Sequence, residues 1–470
     1  MNANDPAIPQ AEPAPVLPAP IPPQGKVSFL EYIRLMRDSS IAGFGQEAYE
    51  LDIVERKILG RPRFIVNDPA AVKHVLLDNV ANYEKTEIMR RILEPGLGKG
   101  LLTSEGETWK VNRRTMTPAF DQRSVAAYTA VMTGAAEELM GKWDSIGQDT
   151  TVDVSVAMTE VTLQIISRTM FSSDSDDMAA IMERSFGEYQ AQMRPNLLDF
   201  IGMPAWLAGL GRMNVAKRTL REFDAVIDRL IAARTRNSES SPKDLLGRLI
   251  AARDEQTGTR MTAQEVRDNI ITIFMAGHET TAMTMTWTWY LLSQHPAVEA
   301  KLHAELDAAL KGRAPTYEDL PRLPYSRMII EESMRMYPPA AAIVRVALAE
   351  DTLCGRRIPK GATIIIAPWL LHRHTKLWQD PGRFLPERFD TENAAHRPRF
   401  SYLPFGGGRR ICIGAAFALA EATILIATIA SRYRLTLAPG HLVEPRALIT
   451  LRPRHGMKMQ VARRSGVARH

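Results

Sequence analysis

Ten consecutive residues, Phe405, Gly406, Gly407, Gly408, Arg409, Arg410, Ile411, Cys412, Ile413 and Gly414, open onto a stretch with almost no charge, and that junction limits what the chain can become. From Ile411 to Ala430, Glu421 is the only charged side chain. The run is long enough for a membrane span. A carboxylate near its middle and a glycine loop at its entrance argue instead for a helix buried in a protein core. Glycines remove side chains where a backbone must approach a flat partner. A cysteine at a helix start meets free N–H groups and the positive end of the dipole, which favour thiolate over thiol. Amide donors aimed at a sulfur also tune a metal bound to it. The pattern suits a thiolate ligand to the iron of a flat macrocycle. A phosphate-binding loop is excluded, because no Lys-Ser or Lys-Thr pair follows the glycines. Zinc is disfavoured, because Cys412 has no second Cys or His at ligand spacing. The plain alternative is a lone buried cysteine acting as a small hydrophobe.

At 470 residues and 45% hydrophobic, the chain can bury a large core. Two cysteines rule out a disulfide scaffold and fit a reducing compartment. No Ser- or Gly-rich linker follows residue 26, so residues 26–464 read as one domain. Residues 1–25 hold eight prolines and read as an extended or disordered arm; residues 465–470 form a short basic tail. The net charge of +6 resides entirely in Arg452 to His470, which has five Arg, one Lys and no acid. The rest sums to zero, so this is a basic tail and not a nucleic-acid face. The arm lacks the basic start and apolar run of a signal peptide. A soluble, cytoplasmic protein with no membrane span is expected.

The segment Arg61 to Leu76 reads as strand, Asn-Asp-Pro turn and helix. Thr352 to Trp369 reads as Pro-punctuated strands turning at Gly355 and Gly361. Ala447 to Arg463 reads as a hairpin turning at His455-Gly456. Helices are expected over Ser124 to Gly147, Val152 to Met170, Val215 to Arg234 and Thr262 to Gln294. Thr262 and Glu265 form a capping box, and Pro296 starts the following helix. The Thr262 helix would run about 49 Å at the α-helical rise, enough to cross the whole domain through its core.

In the middle of that helix stands Ala276-Gly277-His278-Glu279-Thr280-Thr281. Glycine and two β-branched threonines are poor choices for a central turn, and a local rule broken in one place often marks a functional site. A helix-packing notch, with threonine hydroxyls bonded to the preceding carbonyls, is the structural alternative. Glu332 and Arg335 stand three apart, an arrangement that is often only a surface ion pair. Trp109 and Arg113 lie four apart, on one helix face.

Taken together these segments resemble the cytochrome P-450 family. Phe405 to Gly414 matches F-x-x-G-x-R-x-C-x-G at every fixed position, and Ala276 to Thr281 matches [A/G]-G-x-[D/E]-T-[T/S]. Glu332 and Arg335 match E-x-x-R, Pro386 to Phe389 is P-E-R-F, and Trp109 and Arg113 match W-x-x-x-R. The matches run in family order over nearly the whole chain. The resemblance implies a mainly α fold with small β-sheets, a single large domain holding haem between a long central helix and the Cys-bearing helix.

It also implies roles. Cys412 would ligate the iron of haem b, with Phe405, Gly406 and Gly414 shaping its loop. Arg410, Trp109, Arg113 and Arg345 would meet the propionates, since buried carboxylates need partners. Thr280 would hydrogen-bond oxygen or its water, and Glu279 would relay protons. Glu332, Arg335 and Arg388 would form a buried network bracing the cysteine loop. Ala276 stands where some fatty acid hydroxylases carry a glutamate that bonds to haem, so that crosslink is not available here.

The implied activity is a monooxygenase placing one atom of O2 into a lipophilic compound, with fatty acids, terpenoids and aromatic compounds as candidates. Electrons would come from NAD(P)H through a separate ferredoxin or flavodoxin-type donor. Arg113, Arg397, Arg399 and Arg409 could form a basic patch for an acidic ferredoxin. The expected pocket lining is Ile88, Met89, Ile92, Leu97, Ile273, Ala276, Ala340, Ala341, Ala342, Ile343, Leu448 and Ile449, an apolar set with small residues near the iron. A peroxygenase or isomerase on the same scaffold is the alternative enzyme; a non-enzymatic haem sensor would have little need of the Glu279-Thr280 pair.

Overall fold

The computed structural model describes residues 17–25, 27–58, 60–147, 150–172, 221–236 and 244–464. Residues 1–16, the start of the expected Val215 helix and the tail 465–470 lie outside them. The long helix runs Ala263–Gln294 and begins at the capping box read from the sequence, the Thr262 side chain accepting from the Glu265 N–H while the Glu265 carboxylate accepts from the Thr262 N–H. It is nearly continuously buried from Val266 to Leu292, as a helix threading the core must be.

Other helices pack around it. Val154–Phe171 lies along its length, and Ala415–Ala430, Pro324–Met336, Pro296–Leu310 and Arg221–Arg236 complete the surround. One apolar cluster joins Trp287, Trp289 and Leu291 of the long helix to Ile424, Leu425 and Ile426 of the cysteine helix. A second gathers Ile270, Ile273 and Phe274 with Ile92 and Leu97 of the helix Glu87–Leu97. The five-stranded sheet runs Ile53–Ile58, Arg61–Val66, Thr363–Ile366, Ile343–Ala347, Tyr83–Glu84, with only the Arg61 and Thr363 strands parallel. The expected mainly α architecture with small sheets is observed. Among the described residues no helix is long and apolar enough to cross a membrane.

Three expectations need correction. The chain turns at His455-Gly456 as expected, but the turn does not join a hairpin: Pro445–Ala447 pairs with Leu451–Pro453 across Leu448 to Thr450. The strand Lys458–Arg463 instead inserts between Thr150–Asp153 and Tyr433–Leu437. The strand Thr150–Asp153 occupies what reads as the start of a helix, because Val152 pairs with Met459. Asp153 then caps the helix by accepting from the Ser155 N–H, so helix begins at Val154. The cysteine helix begins at Ala415, not at Ile411, because the Gly408–Arg410 turn uses the preceding residues. At the other end of the chain, Pro18 accepts a hydrogen bond from the Tyr337 hydroxyl at 3.0 Å and Leu17 packs on the main core.

Candidate active site

The cysteine loop is closed by the Cys412 N–H donating to the Phe405 carbonyl at 2.9 Å. Between them Gly406 and Gly408 have φ of +70° and +65°, backbone conformations that favour glycine. Gly408 has a second reason to be glycine. A Cβ there would stand 1.9 Å from the Leu76 carbonyl oxygen, so the turn lies directly on the segment His74–Asp78. Gly408→Ala should therefore lower the unfolding free energy by about 3 kcal/mol or more, from backbone strain plus overpacking. A urea titration reads this, and a midpoint equal to wild type would refute the contact.

Cys412 exposes surface although it lies deep in the protein. Its thiol therefore faces an internal recess. Burial pushes the thiol up, while the Gly414 backbone N–H and Arg113 pull it back down. Arg113 donates to the Ile411 carbonyl at 2.7 Å, so it supports the loop beside the sulfur.

The other candidate cations gather elsewhere. The Arg410 guanidinium lies 4.3 Å from the Trp109 ring centre, donates to the Ser104 carbonyl at 3.2 Å and pairs with Glu105. Arg345 is buried close by, and burial followed by Arg410 pushes it down to about 10. Lys85, which sequence reasoning missed, completes the group. It is buried, donates to the Ser104 carbonyl at 2.8 Å and stands 3.6 Å from Glu105. Burial, with Arg410 and Arg345 adding to it, pushes its ammonium down to about 7. Two arginines and a partly charged lysine thus face one inward carboxylate, a surplus of positive charge; Glu84 lies exposed at the rim. A buried surplus of this kind calls for anions. The signal for Lys85 in the sequence was slight: a lone lysine twenty residues before Glu105, joined to it only by the fold.

The long helix changes character at its middle. Met275 and His278 are buried, yet Ala276 is exposed and Gly277 and Thr280 are half-buried. The Thr280 hydroxyl donates to the Ala276 carbonyl at 2.8 Å, as the packing-notch alternative expects. Its oxygen lone pairs can still accept. Glu279 turns away toward the last hairpin, where it pairs with Arg452 and accepts from the Thr450 hydroxyl at 2.5 Å. The next residue, Thr281, hydrogen-bonds Glu421 of the cysteine helix, whose carboxyl is pushed up to about 8 by burial. The lone charge of the apolar run is thus a largely neutral acid inside the core at pH 7.

The Glu332, Arg335 and Arg388 group is assembled in the interior. Glu332 and Arg335 are 0% exposed and bonded at 2.6 and 2.7 Å, and Arg388 approaches Glu332 at 3.4 Å. Arg335 also donates to the carbonyls of His372, Pro381 and Arg383, each at 2.9 Å. His372, another residue not foreseen, passes the connection on: its Nε2 accepts the Leu403 N–H at 2.8 Å, two residues before Phe405. Burial holds this histidine well below its ordinary value, so it is the neutral acceptor that the bond requires.

The expected pocket residues divide. Ile92, Leu97 and Ile273 are buried in one cluster with Ile88 and Met89 packed against it, and Ala341 belongs to the main core. Ile343 and Leu448 are half-buried. Ala276, Ala340, Ala342 and Ile449 are exposed, as is Leu102, although all sit on elements that are otherwise interior. An exposed cysteine, exposed small apolar residues and a buried surplus of positive charge fit haem: a flat apolar group, two carboxylates and an iron that accepts one thiolate.

Residues 18–458 match the family model described as Cytochrome P450. Cyclooctat-9-en-7-ol 5-monooxygenase of Streptomyces melanosporofaciens is 36% identical over 83% of this chain and 83% of its own length. Pentalenene oxygenase of Streptomyces avermitilis is 30% identical over 88% of this chain and 91% of its own length. The crystal structure of the cytochrome P450DA heme domain superposes with a TM-score of 0.81, covering 96% of this chain and 98% of that one at 26% identity.

Proposed function

The chain belongs to the cytochrome P450 family and is a monooxygenase of it, and from that premise we propose that it hydroxylates a cyclic terpenoid. The observation that carries the substrate class is the set of exposed small or aliphatic side chains Ala276, Ala340, Ala342, Leu102 and Ile449 on otherwise buried elements. None of them offers a hydrogen bond, so recognition must rest on shape and apolar burial. The two Streptomyces relatives are named for oxidation of such ring compounds, which agrees with an apolar cleft.

Haem, when bound, supplies the redox and oxygen chemistry. Cys412 is the residue to hold its iron, because its sulfur is exposed while its N–H is fixed on Phe405. Arg345, Arg410 and Lys85 would hold its two carboxylates, and an added anion would raise the Lys85 ammonium above its present value near 7. The Trp109 ring, its centre 4.3 Å from the Arg410 guanidinium, helps to orient it. Thr280 accepts a proton donor at its Oγ1, and can turn its own proton from the Ala276 carbonyl toward a ligand above it. Glu279 is held on Arg452 and Thr450, so it would reach toward Thr280 only by turning from the last hairpin. Electrons from NAD(P)H would arrive through an acidic ferredoxin. Of the four arginines considered for that contact, Arg399 and Arg409 are exposed, whereas Arg113 and Arg397 are turned inward onto Ile411 and Phe389.

The haem-loaded protein should show a substrate-induced Soret shift with a sesquiterpene hydrocarbon or a cyclic diterpene alcohol. With NADPH and a ferredoxin pair it should then form hydroxylated product. Thr280→Ala should reduce product by a factor on the order of 10² while leaving substrate binding intact. A shift with a straight-chain fatty acid alone would remove the terpenoid assignment. Product formed from hydrogen peroxide without ferredoxin, and unaffected in Thr280→Ala, would favour the peroxygenase.

A further inference from the structure

The loop between the helices Glu87–Leu97 and Gly106–Met116 is held at both ends by unlike partners. At its start, the Lys99 N–H donates to Asp268 Oδ2 at 2.7 Å and the Leu101 N–H donates to Asn269 Oδ1 at 2.8 Å. Both acceptors are buried on the first third of the long helix. Each is itself oriented. Gln264 Nε2 donates to the other Asp268 oxygen at 2.6 Å, and Asn269 Nδ2 donates to the Glu265 carbonyl at 2.9 Å.

The fit between loop and helix leaves no slack. A Cβ on Gly98 would stand 2.3 Å from the Asp268 carboxyl carbon, and one on Gly100 would stand 2.2 Å from Thr272 Oγ1. Thr103 ties the loop to itself, its hydroxyl donating to the Gly98 carbonyl at 2.7 Å. At its far end the Ser104 carbonyl accepts from Lys85 and Arg410 at 2.8 and 3.2 Å. Between the two anchorages Leu102 is 39% exposed.

We infer that Asp268 and Asn269 are positioning residues: they lock the 98–105 loop onto the long helix and so set the clearance of the cleft above the cysteine loop. The inference rests on the haem-thiolate reading. Neither residue need touch substrate or cofactor. In this turning backbone the alternate N–H groups of Lys99 and Leu101 meet two adjacent side-chain acceptors, so a one-residue slip would break both bonds and move Leu102. Buried amides and carboxylates on an apolar helix face need such partners, and here the partner is the loop that carries the exposed Leu102 and is joined at Ser104 to Arg410 of the cysteine loop.

The test uses the full chain with haem, two azoles of unlike bulk and the backbone amides of the loop. In Asn269→Ala, hydrogen exchange over residues 98–105 should quicken about tenfold, the loss of one buried hydrogen bond. Clotrimazole should bind about tenfold more weakly, while imidazole, which needs little clearance, changes less than about threefold. Asp268→Asn keeps an oxygen for the Lys99 N–H, with Gln264 free to turn its amide oxygen toward the new amide, and should keep both values at wild type, which a general loss of stability would not allow. Asp268→Ala should behave like Asn269→Ala. Unchanged exchange, or faster exchange with the two azoles affected equally, would overturn the inference. A wild-type protein lacking the thiolate carbon monoxide band would overturn the functional reading instead, and the exchange measurement, which needs no haem, would still decide the loop's attachment.

Discussion

Arg335→Ala is expected to give a protein that retains little haem and unfolds at much lower urea, a loss of about 3–5 kcal/mol. The size follows from what the substitution leaves behind. Glu332 is 0% exposed and would keep only Arg388, at 3.4 Å, and the Leu385 N–H, at 2.9 Å. Three carbonyls, of His372, Pro381 and Arg383, would lose their donor in the interior. A broken buried pair costs far more than the intact pair contributes, because an uncompensated charge remains out of water. The damage would travel. His372 lies between Arg335 and the Leu403 N–H, so a shift of its peptide displaces the segment at Leu403 from which Phe405 to Cys412 departs. Arg335→Lys should be nearly as harmful, since one ammonium cannot reach a carboxylate and three carbonyls arranged around a planar fork. Arg327→Ala supplies the control. Arg327 is half-exposed and pairs with Glu331 at 2.9 Å, and its loss should stay within about 1 kcal/mol. Haem per protein and the urea midpoint measure both variants; an Arg335→Ala protein with wild-type values of both would overturn the bracing role.

What could be read from the sequence was local chemistry, and what could not was pairing across long separations. The Thr262-Glu265 box gave the start of the long helix because both partners lie within one turn. The glycine positions before Cys412 were legible as backbone requirements, but the reason at Gly408 is a carbonyl of Leu76, more than three hundred residues earlier. Lys85 and Glu105 looked like ordinary charges, and only the fold brings Arg410 and Arg345 to them. Asp268 and Asn269 carried no pattern at all, since their partners are backbone amides, which every residue has. The last hairpin failed for a related reason. His455-Gly456 is a sound turn by composition, but the strand after it finds better partners in Thr150–Asp153 and Tyr433–Leu437 than in its own predecessor. Arg113 stands at W-x-x-x-R spacing from Trp109, and only the fold shows that it also donates to the Ile411 carbonyl beside Cys412.

Cys412→Ala should separate chemistry from folding where Arg335→Ala cannot. The side chain removed is small and faces a recess, with surface exposed, so no packed cavity is created. The loop's closing bond, from the Cys412 N–H to the Phe405 carbonyl, belongs to the backbone and survives the change. Gly406 and Gly408 keep their conformations, and Arg113 keeps the Ile411 carbonyl. The urea midpoint should therefore move by less than about 1 kcal/mol in free-energy terms. Activity should not survive. The Cys412 thiolate would supply the electron-rich ligand on which the oxygen chemistry of a bound haem depends; without it the barrier should rise by roughly 4 kcal/mol or more, on the order of a thousandfold in rate. The reduced protein with carbon monoxide should lose its strongly red-shifted Soret band in the same variant, whether haem stays in the cleft or leaves it. Cys354→Ala, on an exposed strand turn, should change neither spectrum nor rate. If Cys412→Ala kept both the red-shifted band and the turnover, Cys412 would not be the ligand, and the reading built on Phe405 to Gly414 would fail while the fold stood unchanged.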